Sequence, residues 1–301
     1  MPKISIVIPS LNEEEYLPRL LDTIKAQTFK DFEVIVADAG SKDKTVELAR
    51  AAGAVVVPGG MPGPGRNRGA EAAKGEFLFF FDSDVLLPPD FLEKALREME
   101  ERYLDLATCE FKPESELRLD QVLFHLANLS VKVNQSFNPR AAGFCIFITK
   151  RLFKRVGGFD ESVVLAEDHD LVQRASVFRP LRFLSSVSLQ VSVRRLKKEG
   201  RFSLIGKYMQ VEMHLLLKGK VTEDIVEYEF GNFPAGDKPA AKKALDDLEA
   251  TIIQIEQQYN QFSERYLQSK PGSDYKEGTD KMKSAMDSIQ GVLKALFDKK
   301  G

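Results

Sequence analysis

The 301-residue sequence predicts an α/β protein with a mostly parallel central sheet flanked by helices, followed by a C-terminal α-helical hairpin. Three observations carry this reading. Over roughly the first 110 residues, short apolar runs alternate with stretches of helical periodicity, the pattern of strand–helix–strand units. Polar clusters rich in Asp, Asn and Ser follow those runs, and open α/β sheets bind ligands at the carboxyl ends of their strands. From Leu245 to Tyr266 the apolar residues then fall at steps of 3 and 4 throughout, which is a coiled-coil seam.

Residues 4–8 read as a first strand closed by Pro9, and Leu17, Leu20, Leu21 and Ile24 as one face of a helix. Residues 32–37 are a second strand, 45–52 a helix, 54–57 a third strand and 66–74 a short helix. The run Phe77-Leu78-Phe79-Phe80-Phe81 is a fully buried fourth strand. Beyond residue 110 the pattern changes to an amphipathic helix at 119–133, a strand at 144–149 and a turn at Gly157-Gly158-Phe159-Asp160. A helix at 168–177 and a strand at 187–193 follow. The helix expected at 202–217 carries His214 and an apolar face with basic ends, which suits packing on the domain or lying on a membrane surface.

Pro234-Ala235-Gly236-Asp237 reads as a linker. The two amphipathic stretches after it, separated by Pro271-Gly272-Ser273, read as an antiparallel hairpin. Composition shifts as well: six glutamines lie in the last 68 residues and six in the preceding 233. The hairpin is either a native docking module able to self-associate or a segment joined to an unrelated enzyme.

Bulk properties exclude several classes. With 43% hydrophobic and 29% charged residues, the composition is that of an ordinary soluble protein. A net charge of -2 gives no electrostatic footprint for nucleic acid. Cys109 and Cys145 sit in apolar surroundings, as buried thiols of a reducing compartment would. No signal peptide and no apolar run of membrane-spanning length is visible, so the expected location is cytoplasmic, with peripheral contact at the inner membrane face left open. Three histidines without close Cys/His spacing argue against zinc.

Asp82-Ser83-Asp84 closes the buried fourth strand. Two carboxylates there are costly unless paired, and Mg²⁺ or Mn²⁺ held by one or two carboxylates and substrate phosphates would pair them. An isolated Asp-Ser-Asp equally suits an exposed turn. Several motifs in order decide the matter. Ile6-Val7-Ile8-Pro9-Ser10-Leu11-Asn12-Glu13-Glu14, Val36-Ala37-Asp38-Ala39-Gly40-Ser41, Gly65-Arg66-Asn67-Arg68-Gly69, Phe81-Asp82-Ser83-Asp84, Gly157-Gly158-Phe159-Asp160-Glu161 and Glu167-Asp168-His169-Asp170 occur in sequence. Together, over roughly residues 3–195, they resemble family 2 glycosyltransferases of the GT-A fold. Ala39 departs from the resemblance, because the family often has a second Asp there.

The resemblance implies an inverting glycosyltransferase that moves a sugar from a UDP- or GDP-linked donor to a glycan hydroxyl or a polyprenyl phosphate. A divalent metal would sit on the diphosphate. Residues 1–110 would bind the donor, 111–233 the acceptor and the catalytic base, and 234–301 would be linker and hairpin. By resemblance Pro9, Asn12, Glu13 and Asp38 line the base and ribose, Asp84 is the direct metal ligand, and Asp82 lies nearer the ribose or the metal. Asn12 or Ser10 could instead cap the first helix, and Asp38 with Ser41 could form a turn. Asp168 is the candidate base, with an N-cap as the competing reading; Glu167 and His169 lie on its acceptor side, and His169 also reads as a surface helix residue. Arg194 and Arg195 could reach the diphosphate or form a solvated basic strand end with Lys197 and Lys198. A cation at Arg66, near a helix start, needs a partner among the carboxylates or the substrate phosphates.

A nicotinamide dehydrogenase fails as an alternative, since G-x-G-x-x-G from Gly63 would need glycine where Arg68 stands. A nucleotidyltransferase lacks its Gly-rich loop after the first strand. A non-catalytic sugar-nucleotide scaffold using the hairpin as an arm is the remaining alternative, and Asp82, Asp84 and Asp168 argue against it.

Overall fold

The computed structural model describes residues 1–136 and 138–201 together with 249, 250, 253 and 257. The expected helix at 202–217, the linker and the hairpin lie outside the described residues, apart from those four positions. The chain builds one eight-stranded mixed sheet in the order β3-β2-β1-β4-β7-β6-β8-β5. Its first half runs β1 (Ile4–Ser10), α1 (Leu17–Lys25), β2 (Phe32–Asp38), α2 (Thr45–Ala51), β3 (Val55–Pro58), α3 (Pro62–Ala72) and β4 (Phe77–Phe80). These four strands pair in parallel, with β1 between β2 and β4.

The second half runs β5 (Val85–Leu86), α4 (Phe91–Glu101), β6 (Leu106–Pro113), α5 (Arg118–Asn134), β7 (Ile146–Thr149), α6 (Lys150–Arg155), α7 (Glu167–Ser176), β8 (Arg182–Val191) and α8 (Arg194–Glu199). Here β7 is antiparallel to both β4 and β6, and β8 is parallel to β6 but antiparallel to β5. The parallel sheet expected from the first half thus continues as a mixed one. β8 begins at Arg182, ahead of the expected 187, because a register shift between Cys109 and Glu110 lets it bend along β6. The basic run after it is not a strand end but the short helix α8.

The sheet separates two apolar layers. Ile4, Ile6, Ile8, Phe79, Phe81 and Phe147 pack with Leu17 and Leu20 of α1 and Phe91 of α4 on one face. Val7, Ile35, Phe80 and Ile146 pack with Phe153, Phe159 and Leu171 on the other. Alternation along β1 and β4 therefore feeds both layers, which is why β4 reads as an unbroken apolar run. Phe80 meets Phe159 edge-on at 5.3 Å, and Phe79 meets Phe147 at 4.6 Å. Cys109 and Cys145 are buried free thiols facing each other at 3.3 Å. The two layers hold the carboxyl ends of β1, β2 and β4 rigidly side by side, where the polar clusters emerge.

Candidate active site

α3 approaches β1 so closely that a Cβ on Gly69 would stand 2.3 Å from Cγ1 of Val7. This sinks Arg66 beneath the sheet edge, where its side chain is 3% exposed. One terminal nitrogen donates to Oδ1 of Asp82 and the other to Oε1 of Glu167, each at 2.7 Å. Burial opposes the guanidinium charge, but Asp82, Glu167 and Asp168 outweigh it and raise the Arg66 pKa. The partner of Arg66 is thus a set of carboxylates, and the side chain closes the floor between Asp82 and α7.

α7 opens from Ala166, a non-glycine residue with φ of 62°. That left-handed residue turns the chain so that Glu167 and Asp168 start the helix facing Arg66. Oδ2 of Asp168 accepts the Gly143 amide at 2.7 Å, and Oδ1 accepts the His169 amide at 2.8 Å. Asp168 therefore lies inside the first turn and not at the cap position, which is Ala166. Burial raises the pKa of Asp168 and, with Asp168 as neighbour, that of Glu167. His169 is not a surface residue: its side chain is 24% exposed, and burial beside Arg140 pushes its pKa down to about 4, so it is neutral at pH 7.

A second ion-pair set stands on the opposite side of the Asp82-Ser83-Asp84 segment. Nε of Arg194 donates to Oδ2 of Asp84 at 2.9 Å, and its two terminal nitrogens bond both oxygens of Glu13 at 2.7 Å. The guanidinium lies over the Tyr16 ring at 4.3 Å. Burial pushes the Asp84 pKa up to about 6, with Arg194 opposing and Asp82 assisting the rise. Arg195 turns along α8 and faces Glu199 at 3.6 Å.

The loops after β1 and β2 are laced together. Asn12 has φ of 53°; its amide donates to Ser41 Oγ at 2.9 Å and its Oδ1 accepts the Lys42 amide at 2.8 Å. Neither Asn12 nor Ser10 caps α1, whose cap position is Tyr16. Ser10 instead meets Ser83, hydroxyl to hydroxyl, at 2.9 Å, and the Pro9 carbonyl faces the Ser83 hydroxyl at 3.4 Å. Asp38 makes the expected turn, its Oδ2 accepting the Gly40 and Ser41 amides at 2.9 and 3.0 Å. Its Oδ1 is buried without a hydrogen-bond partner. A buried orphan carboxylate oxygen points to a missing donor.

Two residues that sequence reasoning missed complete the arrangement. A Cβ on Gly143 would stand 2.5 Å from Nη2 of Arg66, so only glycine lets the backbone that holds Asp168 lie against that guanidinium. Asn67 bonds the Phe159 amide at 2.8 Å and its carbonyl at 2.9 Å, clamping the Gly157-Gly158 turn onto α3. The Gly65-Arg66-Asn67 and Gly-Gly-Phe motifs were both visible, but not that they meet.

Among the described residues no group of three His, Cys, Asp or Glu comes together for a metal. Asp82 and Asp84 nevertheless each have one oxygen outside their arginine pair. Two carboxylates plus substrate phosphates is the oxygen-donor set that Mg²⁺ or Mn²⁺ accepts, so the residues fit a cation arriving with a diphosphate.

A parallel α/β half-sheet with polar loops converging at its carboxyl edge, continued by antiparallel strands carrying a buried acidic helix start, defines a nucleotide-sugar transferase fold of the GT-A type. The family description Glycosyl transferase family 2 matches residues 5–148, and that stretch is a domain of this family. Over 183 residues the chain is 30% identical to the uncharacterized glycosyltransferase RT0329 of Rickettsia typhi, covering 56% of this chain and 57% of that one. It is 33% identical over 122 residues to the putative glycosyltransferase EpsH of Bacillus subtilis, covering 38% and 35%. The chain thus spans little more than half the length of such relatives, or less. Its fold matches the mannosyltransferase PcManGT of Pyrobaculum calidifontis, in complex with GDP-Man and Mn²⁺, at a TM-score of 0.58 and 19% identity over 99% of this chain and 86% of that one. It matches S. aureus TarS in complex with UDP-GlcNAc at 0.52 and 21% identity over 97% and 81%. No helix among the described residues is long and apolar enough to cross a membrane.

Proposed function

We propose that the protein is an inverting glycosyltransferase that takes a sugar from a nucleoside diphosphate donor and passes it to an acceptor hydroxyl. The observation that carries this is the placement of a buried carboxylate, Asp168, across Arg66 from the Asp82-Ser83-Asp84 edge. Donor side and base side are thereby built into one ion-paired unit. Two neighbours in fold, TarS and PcManGT, were captured with UDP-GlcNAc and with GDP-Man and Mn²⁺, which supports a nucleotide sugar as the donor class.

In this reading the base packs along the loops after β1 and β2, with Pro9, Asn12 and Glu13 shaping the floor and the unpartnered Oδ1 of Asp38 accepting a ring N–H. The diphosphate lies along Asp82 and Asp84; these two carboxylates would hold a Mg²⁺ or Mn²⁺ arriving with it, and the cation would supply neutralisation of the charge developing on the leaving group. The acceptor oxygen attacks the anomeric carbon as the bond from that carbon to the diphosphate oxygen breaks, and the hydroxyl proton passes to Asp168. Gly143 and His169 amides fix the Asp168 carboxylate, and burial keeps it more basic than an exposed one. Glu167 orients Arg66 through its 2.7 Å bond to that guanidinium. An acceptor already ionised, such as a polyprenyl phosphate, needs no base, and Asp168 would then only position it.

The test is turnover of a panel of UDP- and GDP-sugars with glycan and lipid-phosphate acceptors, read by mass spectrometry. Transfer or slow donor hydrolysis that is lost in Asp168→Asn supports the reading. Binding without turnover across the panel would favour a non-catalytic sugar-nucleotide protein.

A further inference from the structure

The two arginines that meet the Asp82-Ser83-Asp84 segment are held in different ways. Arg66 is 3% exposed, locked between Asp82 and Glu167 and pressed against Gly143. It cannot leave without breaking the floor of the site. Arg194 is 25% exposed and stands in the first turn of the six-residue α8. It borders an open cleft with Tyr16, Arg19, Glu114 and Ser192. The start of α8 is tethered to the same segment, because the Ser192 amide donates to the Asp84 carbonyl at 3.0 Å. The guanidinium can therefore swing while its backbone stays beside Asp84.

Resting on the donor-site reading above, we infer that Arg194 is a displaceable counter-cation for Asp84, which keeps that carboxylate neutralised until a diphosphate draws the guanidinium away. Three physical points support this. A buried carboxylate needs a positive partner, and Arg194 supplies it through Oδ2. A divalent cation on the same carboxylate would stand within a few ångströms of the guanidinium and be repelled by it. A diphosphate offers two anionic oxygens on one phosphorus, a pair the fork of the guanidinium can bond as it now bonds the two oxygens of Glu13, so it can exchange one set for the other. Metal and nucleotide then bind with positive coupling, and Glu13 is the resting berth of the arginine.

The experiment is calorimetric titration of Mn²⁺ into the full chain, wild type and Arg194→Gln, with and without UDP. Arg194→Gln should bind Mn²⁺ alone more tightly, by roughly five- to a hundredfold, the range of ordinary coupling between sites. UDP should then improve Mn²⁺ affinity less in the variant than in wild type. Arg194→Met serves the same test if the glutamine variant does not fold. In wild type, the Nε–H resonance that an Arg194→Lys spectrum lacks should shift on adding Mg²⁺ and UDP together, and much less with Mg²⁺ alone. Unchanged or weaker Mn²⁺ affinity in a folded variant that still binds UDP with Mn²⁺ would overturn the inference and leave the donor site standing. Absence of Mn²⁺ binding in both proteins, with and without UDP, would overturn the donor-site reading and this inference together.

Discussion

Arg66 donates to Glu167 at 2.7 Å across 101 residues of sequence, and that bond joins the two halves of the site. The same guanidinium holds Asp82, so the donor edge and the helix carrying Asp168 share one buried cation. Replacing it leaves the largely buried Glu167 and Asp168, and the more exposed Asp82, without their counter-charge. Arg66→Met should destabilise the protein by about 3–5 kcal/mol, the usual cost of breaking a buried pair. Urea denaturation at pH 7.5 measures this. The deficit should shrink toward pH 5, because Glu167 and Asp168 already have raised pKa values and can protonate when their partner is gone.

Asp168→Asn keeps the size of the side chain and one acceptor for the Gly143 amide but cannot take a proton. Transfer to a hydroxyl acceptor should fall by at least roughly a hundredfold, the low end of a general base's contribution. Calorimetry should find nucleotide binding retained. Unchanged turnover would remove Asp168 from the base role.

Asp38 makes a prediction about the nucleobase. Its Oδ2 is spent on two backbone amides and only Oδ1 remains to accept. One acceptor suits the single ring N–H of uracil, whereas the guanine edge offers two adjacent donors. Wild type should therefore prefer UDP to GDP. In Asp38→Asn the oxygen can keep the Gly40 and Ser41 amides while the amide NH₂ takes the other position. That donor repels the uracil N–H and suits the ring nitrogen of cytosine, so CDP should gain relative to UDP. Competition binding with the three nucleotides decides it; a GDP preference in wild type would place the base elsewhere.

Asp84 gives a pH dependence with a definite sign. Its pKa is raised to about 6 in the fold, so between the unfolded value near 4 and 6 the native state binds the extra proton. The stabilisation from that proton is present at low pH and lost as pH rises through about 6. In metal-free buffer, the stability of wild type minus that of Asp84→Asn should therefore increase as pH falls from 7 to 4, by about 2 kcal/mol. Denaturant melts across that range test it, and a difference independent of pH would show that the Asp84 pKa is not raised.

What was legible in the sequence follows from how local each signal is. β1, β2 and β4 announced themselves through apolar runs, and the acidic and Asn-rich loops after them through turn chemistry. β6 was not visible, because Glu110, Lys112 and Pro113 interrupt its apolar residues and its partners β7 and β8 begin far along the chain, at Ile146 and Arg182. α8 looked like a run of charge, since Arg194, Arg195, Lys197 and Lys198 outnumber its one buried apolar residue, Leu196. The carboxylates at 82, 84 and 168 could be chosen by type and position. That Arg194 would spend its donors on Glu13, 181 residues away, could not, because an ion pair leaves no periodicity in the chain. Gly143 was equally silent: the need for glycine there arises only once Arg66 is buried against it.

The most direct measurement is calorimetric binding of UDP with Mn²⁺ and after chelation, in wild type and in Asp84→Ala. The structure predicts binding in wild type that weakens at least roughly tenfold on chelation, the loss of about 1.4 kcal/mol, and that Asp84→Ala abolishes most of this metal dependence. Equal UDP affinity with metal, without metal and without the Asp84 carboxylate would contradict a diphosphate site at the end of β4.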